Sequence, residues 1–302
     1  MNPHDVSPLQ ETVSATFSLG SSSVSGVTTE PVSLPFPAEI VIELVGLKKD
    51  YGAFEAIRGV DLTVRRGELF GFLGPNGAGK TTMIRIMTGI IRPTAGSVAI
   101  GGFDLLAEPE KAKSRIGYIP DRPYLYEKLT PLEYFDFMAG LYSLAPEIAH
   151  ARGEEMLRFF SLWDWRNELI EGFSHGMKQK VAMTAALLHD PDILIVDEPM
   201  VGLDPRSVRL VKDFFLKLTR RGKTIFLTTH TLSVAQDLCN RIGIIHHGKV
   251  VALGSLEELR ERALHGVSDL ETIFLQITEE EGDEGHPVTT EALVPPSVSN
   301  EF

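Results

Sequence analysis

The sequence predicts an α/β protein: a parallel sheet flanked by helices, with an antiparallel β piece at its start and a helical block in its middle. Three observations predict it. Short apolar strands crowd the early part of the chain, a helical stretch runs from about Pro131 to Leu188, and strand and helix alternate after it. Such alternation builds a parallel sheet with helices packed on it, whereas hairpin-like strands build an attached antiparallel piece.

The elements are read in order. EIVIELVGL, GVDLTV and LFGFLG are the first strands. A Gly-rich turn and the apolar helix TTMIRIMTGII come next, then the strands SVAI and RIGYI. The helical stretch follows. Beyond it come the strand ILIVD, a helix after Pro205, the strand TIFLTT, a helix from Leu232 and the strand RIGIIHH. KVVALGS is a last strand and turn, leading into the charged helix LEELRERAL.

The chain has 302 residues, enough to bury a real core. Its formal net charge of −12 is unevenly spread. Residues 1–38 carry −3 and residues 278–302 carry −7, leaving −2 for residues 39–277. A near-neutral middle does not suggest nucleic-acid binding, so none is expected. Both tails are rich in small polar residues and proline or in acids, and read as disordered extensions. The one cysteine, Cys239, excludes an internal disulfide and a cysteine zinc site; it is expected to be a packed helix residue. No apolar run approaches the ~20 residues that span a bilayer, and no signal peptide is apparent. The expectation is a cytoplasmic protein whose membrane spans, if its work needs them, come from another polypeptide.

GPNGAGKT, Gly74 to Thr81, fits G-x-x-x-x-G-K-[ST] without a mismatch, between an apolar strand and a helix. The glycines let the backbone curl so that successive N–H groups face phosphates. Lys80 reaches the β- and γ-phosphates, Thr81 offers its hydroxyl to Mg²⁺, and the helix presents its positive end. This makes the core that of a P-loop NTPase, with an antiparallel β subdomain and an inserted helical subdomain at about 122–188. The expected nucleotide contacts are Gly74, Pro75, Asn76, Gly77, Ala78, Gly79, Lys80, Thr81 and Thr82. ILIVDEP is an apolar strand ending in Asp197 and Glu198, at the edge where open α/β sheets bind ligands. Asp197 is expected to hold Mg²⁺ and Glu198 to act as general base on the attacking water.

A third stretch, FSHGMKQK, puts the N-cap Ser174 ahead of a first helical turn with glycine and lysines but no acid. Helix dipoles favour acids there, so the turn suits a bound anion.

With these motifs in this order, residues 39–277 resemble the ATP-binding cassette ATPases. GPNGAGKT and ILIVDEP stand for the two Walker motifs. Tyr51 fits the aromatic that stacks on adenine, GLDP with Asp204 fits the D-loop, and His230 fits the switch histidine. FSHGMKQK stands at the signature motif, usually LSGGQ. The resemblance implies that Ser174 and Gly176 contact the γ-phosphate of an ATP held by the phosphate loop of a second nucleotide-binding subunit. It also implies an integral membrane permease as partner, a place on the inner face of the cell membrane, and ATP with Mg²⁺ as ligands. Signatures of the form S-x-G-M-[KR]-Q-K look like those of exporter-type bacterial cassettes. The rival reading is a soluble cassette acting in translation or DNA repair, but those carry two cassettes or a long coiled-coil insertion. A regulatory protein without turnover is disfavoured by Glu198 and His230.

The chain departs from the pattern twice. His175 stands where the family has glycine and Met177 where it has glutamine. Asp121, closing IGYIPD, stands where the family has a glutamine touching Mg²⁺ or water. Asp121 is either its replacement, serving catalysis and metal, or a turn residue before Arg122-Pro123. The segment RPYLYEKLTPLEYF resembles the face that docks on the permease; its aromatics could equally be core.

Overall fold

The central strands form where the sequence is most apolar. A computed structural model describes residues 39–262, 270–272, 274 and 275; the two predicted tail extensions lie outside them. A long hairpin opens the fold, β1 (Ile40–Tyr51) and β2 (Phe54–Arg65), turned by Gly52 and Ala53. β3 (Leu69–Leu73) feeds the Gly-rich loop and α1 (Lys80–Met87). β4 (Ala95–Ile100) and the two-residue β5 (Phe103–Asp104) return to the hairpin, and α2 (Pro109–Lys113) leads into β6 (Ile116–Ile119). Then come α3 (Pro131–Leu141), α4 (Pro146–Phe159) and α5 (His175–Leu187). The chain closes with β7 (Ile193–Asp197), α6 (Pro205–Arg220), β8 (Thr224–Thr229), α7 (Leu232–Leu238), β9 (Arg241–His246), β10 (Lys249–Gly254) and α8 (Leu256–Arg262).

Two sheets result. One has the order β10-β9-β3-β8-β7-β6, parallel except for the β9–β10 hairpin. The other is antiparallel, β2-β1-β4-β5. Every residue of β3, β7 and β8 is buried, as a parallel strand covered on both faces requires. One core cluster joins the antiparallel sheet and α1 to the parallel sheet through Phe70, Phe72 and Phe226. Another joins α3, α4 and α5 to α6 around Phe135, Phe160 and Phe214.

Three expectations need correction. The helical stretch is three helices, broken at Pro146 and by short 3₁₀ turns at Trp163–Trp165 and Ile170–Gly172. Proline cannot continue a helix, and Ser143 and Ser161 take left-handed backbone at φ 53° and 57°. The second strand starts at Phe54, not Gly59, because the hairpin register pairs Tyr51 with Phe54. Cys239 caps the end of α7 in extended backbone and is not within the helix.

Candidate functional site

The predicted residues gather at the carboxyl edge of the parallel sheet. Gly74 follows β3, Asp197 ends β7, and His230 follows β8. β6 ends one residue before Pro120, and Asp121 comes next. Strand order places β3, β8, β7 and β6 side by side, so their carboxyl ends share one rim.

The loop owes its shape to two glycines. Gly79 has φ 114°, and a Cβ there would stand 2.8 Å from the Ala56 carbonyl oxygen of β2. A Cβ on Gly74 would stand 2.4 Å from the Ile245 oxygen. No side chain caps α1 and no acid sits in its first turn. Its ladder starts with the Met83 amide on the Gly79 oxygen at 2.9 Å. The amides of Lys80, Thr81 and Thr82 thus precede the ladder, as in any helix start that receives an anion. The Lys80 ammonium is buried and donates to the loop carbonyls of Gly74 at 2.6 Å and Pro75 at 3.2 Å. Burial pulls its pKa down, while Glu198 and Asp197 oppose that shift. The lysine and the two carboxylates therefore share one electrostatic neighbourhood.

Asp197 is buried, and Thr228 donates its hydroxyl to Oδ1 at 2.5 Å. Burial raises the Asp197 pKa, Thr228 lowers it, and the charge of Asp121 raises it again. Asp121 is thus close enough to be felt at Asp197. Tyr118 lies in the same field: its phenol is pushed up to about 12, by burial first and by Asp197 next. Glu198 turns sharply out of β7 at φ 47°. Its amide donates to the Thr228 oxygen at 3.1 Å. Its Oε1 lies 2.8 Å from His230 Nδ1.

Tyr51 closes the β1–β2 hairpin and is half-exposed, with Lys49 Nζ 5.1 Å from its ring centre. Among the described residues no cluster of three or more His, Cys, Asp or Glu could hold a metal. A cation sharing its shell with phosphate oxygens needs no such cluster.

The signature stretch lies elsewhere. Ser174 caps α5, its Oγ accepting from the Met177 amide at 3.3 Å. Among the described residues no hydrogen bond joins Ser174 or Gly176 to the phosphate loop. The start of α5 packs on GLDP instead: a Cβ on Gly202 would meet the His175 ring at 2.8 Å, and one on Gly176 would meet Leu203 at 3.2 Å. Lys178 does not face this turn's open end; its ammonium is 2.6 Å from Glu127 Oε1. Asp204 caps α6, accepting from the amides of Arg206 and Ser207, each at 3.0 Å, and from the Ser207 hydroxyl at 2.5 Å. The Ser207 hydroxyl, with these amides, holds its carboxyl below the usual range. Sequence reading missed Thr228, Glu127 and Gln179. A threonine near the end of an otherwise apolar buried strand was the available signal for Thr228. Glu127 and Gln179 left none, because their partners lie 51 and 59 residues away.

A glycine-rich phosphate loop between strand and helix, on one rim with an acid-ended strand two places along the sheet, defines a P-loop ATPase. The family model for ABC transporters matches residues 57–201. The ABC transporter ATP-binding protein NatA of Bacillus subtilis is 40% identical over 222 residues, spanning 73% of this chain and 89% of that protein. The daunorubicin/doxorubicin resistance ATP-binding protein DrrA of Streptomyces peucetius is 38% identical over 219 residues, spanning 72% and 66%. A solved ATP-binding subunit of an ABC transporter superposes with a TM-score of 0.75 at 33% identity, covering 78% of this chain and 99% of that one. A dimeric ATP-binding cassette in a post-hydrolysis state, bound to ADP and Pi, superposes with a TM-score of 0.66 at 28% identity, covering 71% and 98%. The chain belongs to the ATP-binding proteins of the ABC transporters. It is an ATPase that powers a separate membrane permease, and among the described residues no helix is long and apolar enough to cross a membrane.

Proposed function

We propose that two nucleotide-binding subunits, this chain with a second copy or a close relative, close on two ATP molecules and drive an export permease from the inner face of the cell membrane. One observation carries the reading. Lys80, Asp197, Glu198 and His230 share one rim, whereas Ser174 caps and Gly176 lies in the first turn of a helix that, among the described residues, makes no hydrogen bond from either to that rim. Two halves of a phosphate site on separate surfaces call for a second subunit to bring them together.

In this reading the loop from Gly74 to Thr82 holds the phosphates of one ATP, and Tyr51 stacks on its base. Asp197 and Thr81 would hold Mg²⁺, joined by Asp121, whose charge is felt at Asp197. The donors are hard oxygens, as that ion prefers, and the ion would neutralise charge on the phosphates. Glu198 takes the proton of the attacking water, and His230 Nδ1, at 2.8 Å, fixes the carboxylate's direction. The second subunit supplies Ser174 and the Gly176 amide. Export is favoured by relatives such as the Nod factor export ATP-binding protein I of Cupriavidus pinatubonensis, 35% identical over 235 residues, 78% of this chain and 72% of that protein. Residues 39–277 would form the working unit.

Glu198→Gln tests the chemistry. It keeps shape and binding but removes the base, so ATP still binds while hydrolysis slows on the order of 10²-fold or more. Radiolabelled ATP binding and phosphate release measure the two separately. Near-normal release would remove Glu198 from its role.

A further inference from the structure

A groove of about 550 Å³ opens where the end of α4 meets the first turns of α6, and none of its lining belongs to the phosphate loop. Ser161, in left-handed backbone at φ 57°, turns the chain out of α4 there. Phe159, Phe160 and Leu210 give the groove an apolar wall, and Lys180, Arg206 and Arg209 stand around it. Lys217 adds a fourth cation, its Nζ 5.3 Å from the Phe159 ring centre.

Among the described residues these four cations form no ion pair, whereas Lys178, Lys212 and Lys223 each hold an acid, at 2.6, 2.7 and 2.8 Å. Two acids share the lining, Asp204 and Asp213. Asp204 is engaged by the amides of Arg206 and Ser207 and by the Ser207 hydroxyl. That leaves Asp213 against four positive charges. Free cations around an apolar wall suit an acidic peptide with apolar residues of its own. A bare phosphate has no use for the wall, and a nucleic-acid backbone calls for a longer stripe of cations.

The chain carries such a peptide. Residues 278–302 hold seven acids and no Lys or Arg. Five of the acids lie in EEEGDE, 279–284, and EALV, 291–294, brings apolar side chains. The distance is within reach. Phe274 packs on the cluster of Leu73, Ala235 and Ile244, so the chain leaves the body beside α7. α7 is tied to α6 by Lys212 with Asp237 at 2.7 Å. The nine residues from Leu275 to Glu284 extend about 30 Å, more than the ~24 Å length of α6.

We propose that this groove is the seat of the chain's own acidic tail, with residues 279–284 against Lys180, Arg206, Arg209 and Lys217 of the same chain. The contact is electrostatic, and it does not depend on the two-subunit site.

The test is zero-length carbodiimide cross-linking of the full-length chain, read by peptide mass spectrometry. Carboxylates of 279–284 should join Lys180 and Lys217, both half-buried, about fivefold more often than Lys48 and Lys249, which are exposed. Arg206→Gln with Arg209→Gln leaves both lysines and the tail in place and should cut the favoured cross-links about fivefold. Raising NaCl from about 0.05 M to about 1 M, where the screening length falls to about 3 Å, should cut them as well. That arm uses the unaltered chain and needs no variant to fold. Even labelling of the four lysines overturns the proposal, and so does labelling indifferent to salt and to the two arginines. Mixing ¹⁵N-labelled with unlabelled chains identifies whose tail is bound: cross-links that combine the isotopes place a second copy's tail in the groove and also overturn it.

Discussion

Asp197 is buried in a place that disfavours its ionised form. Burial raises its folded pKa above the unfolded value, with Thr228 and Lys80 only partly opposing. A carboxyl shifted in that direction weakens the fold as pH rises through its unfolded value toward its folded one, and the loss persists above. Asp197→Asn removes the charge and keeps an oxygen for the Thr228 hydroxyl. The nucleotide-free protein should therefore gain about 2–4 °C in Tm at pH 7, while Mg²⁺-dependent hydrolysis falls. Calorimetry over a pH series checks the sign: the gain should shrink as pH drops below the carboxylate range. The sequence pointed to this acid because its strand follows a complete phosphate loop; alone, an apolar strand ending in Asp-Glu could as well supply a helix N-cap. It did not reveal the threonine that holds it, nor the left-handed turn at Glu198, since both depend on β8 lying beside β7. The lysine at 178 was misleading: read along the chain it looks like an anion ligand, and in space it belongs to Glu127.

At the level of elements, the strands were the easier reading. β3 is apolar throughout, and β7 and β8 are apolar but for Asp197 and three threonines, the pattern that two-sided burial favours. The helices between Pro131 and Leu187 were legible as helix but not as three, because their breaks rest on serines with positive φ and on tertiary packing. β5 and α2 were invisible: two and five residues carry too little periodicity to register. What binds the helical block to α6 is aromatic. Phe214 of α6 is fully buried, with ring centres of Phe159 and Phe160 at 5.3 and 5.5 Å. Phe214→Ala empties that junction and should cost about 3–5 kcal/mol, read by urea unfolding. The loss falls where α4 meets α6, so ATP binding at the remote loop should survive in the folded fraction.

For the whole molecule, the proposed two-subunit site gives each chain two unlike halves of a site. This gives a complementation experiment. Lys80→Ala spoils the phosphate loop, and Ser174→Arg blocks the helix start that meets the other subunit's ATP. Each variant alone should be inactive. Mixed, half of the pairs would join an intact loop from one chain to an intact Ser174 turn from the other, and ATPase activity should reappear. Failure to reappear would mean that each chain hydrolyses ATP with its own residues alone. The motif order suggested this arrangement, whereas the packing of His175 on Gly202 emerged only in three dimensions. Mixed pairs also bear on descent. The backbone at Glu198, with φ 47°, stores strain that glycine or asparagine would relieve. In the proposed site, its work as base is what sets glutamate there against that strain. After a gene duplication, a copy whose partner suffices for hydrolysis is drawn by stability itself toward losing that acid, and lopsided pairs with one silent site become the path of least resistance.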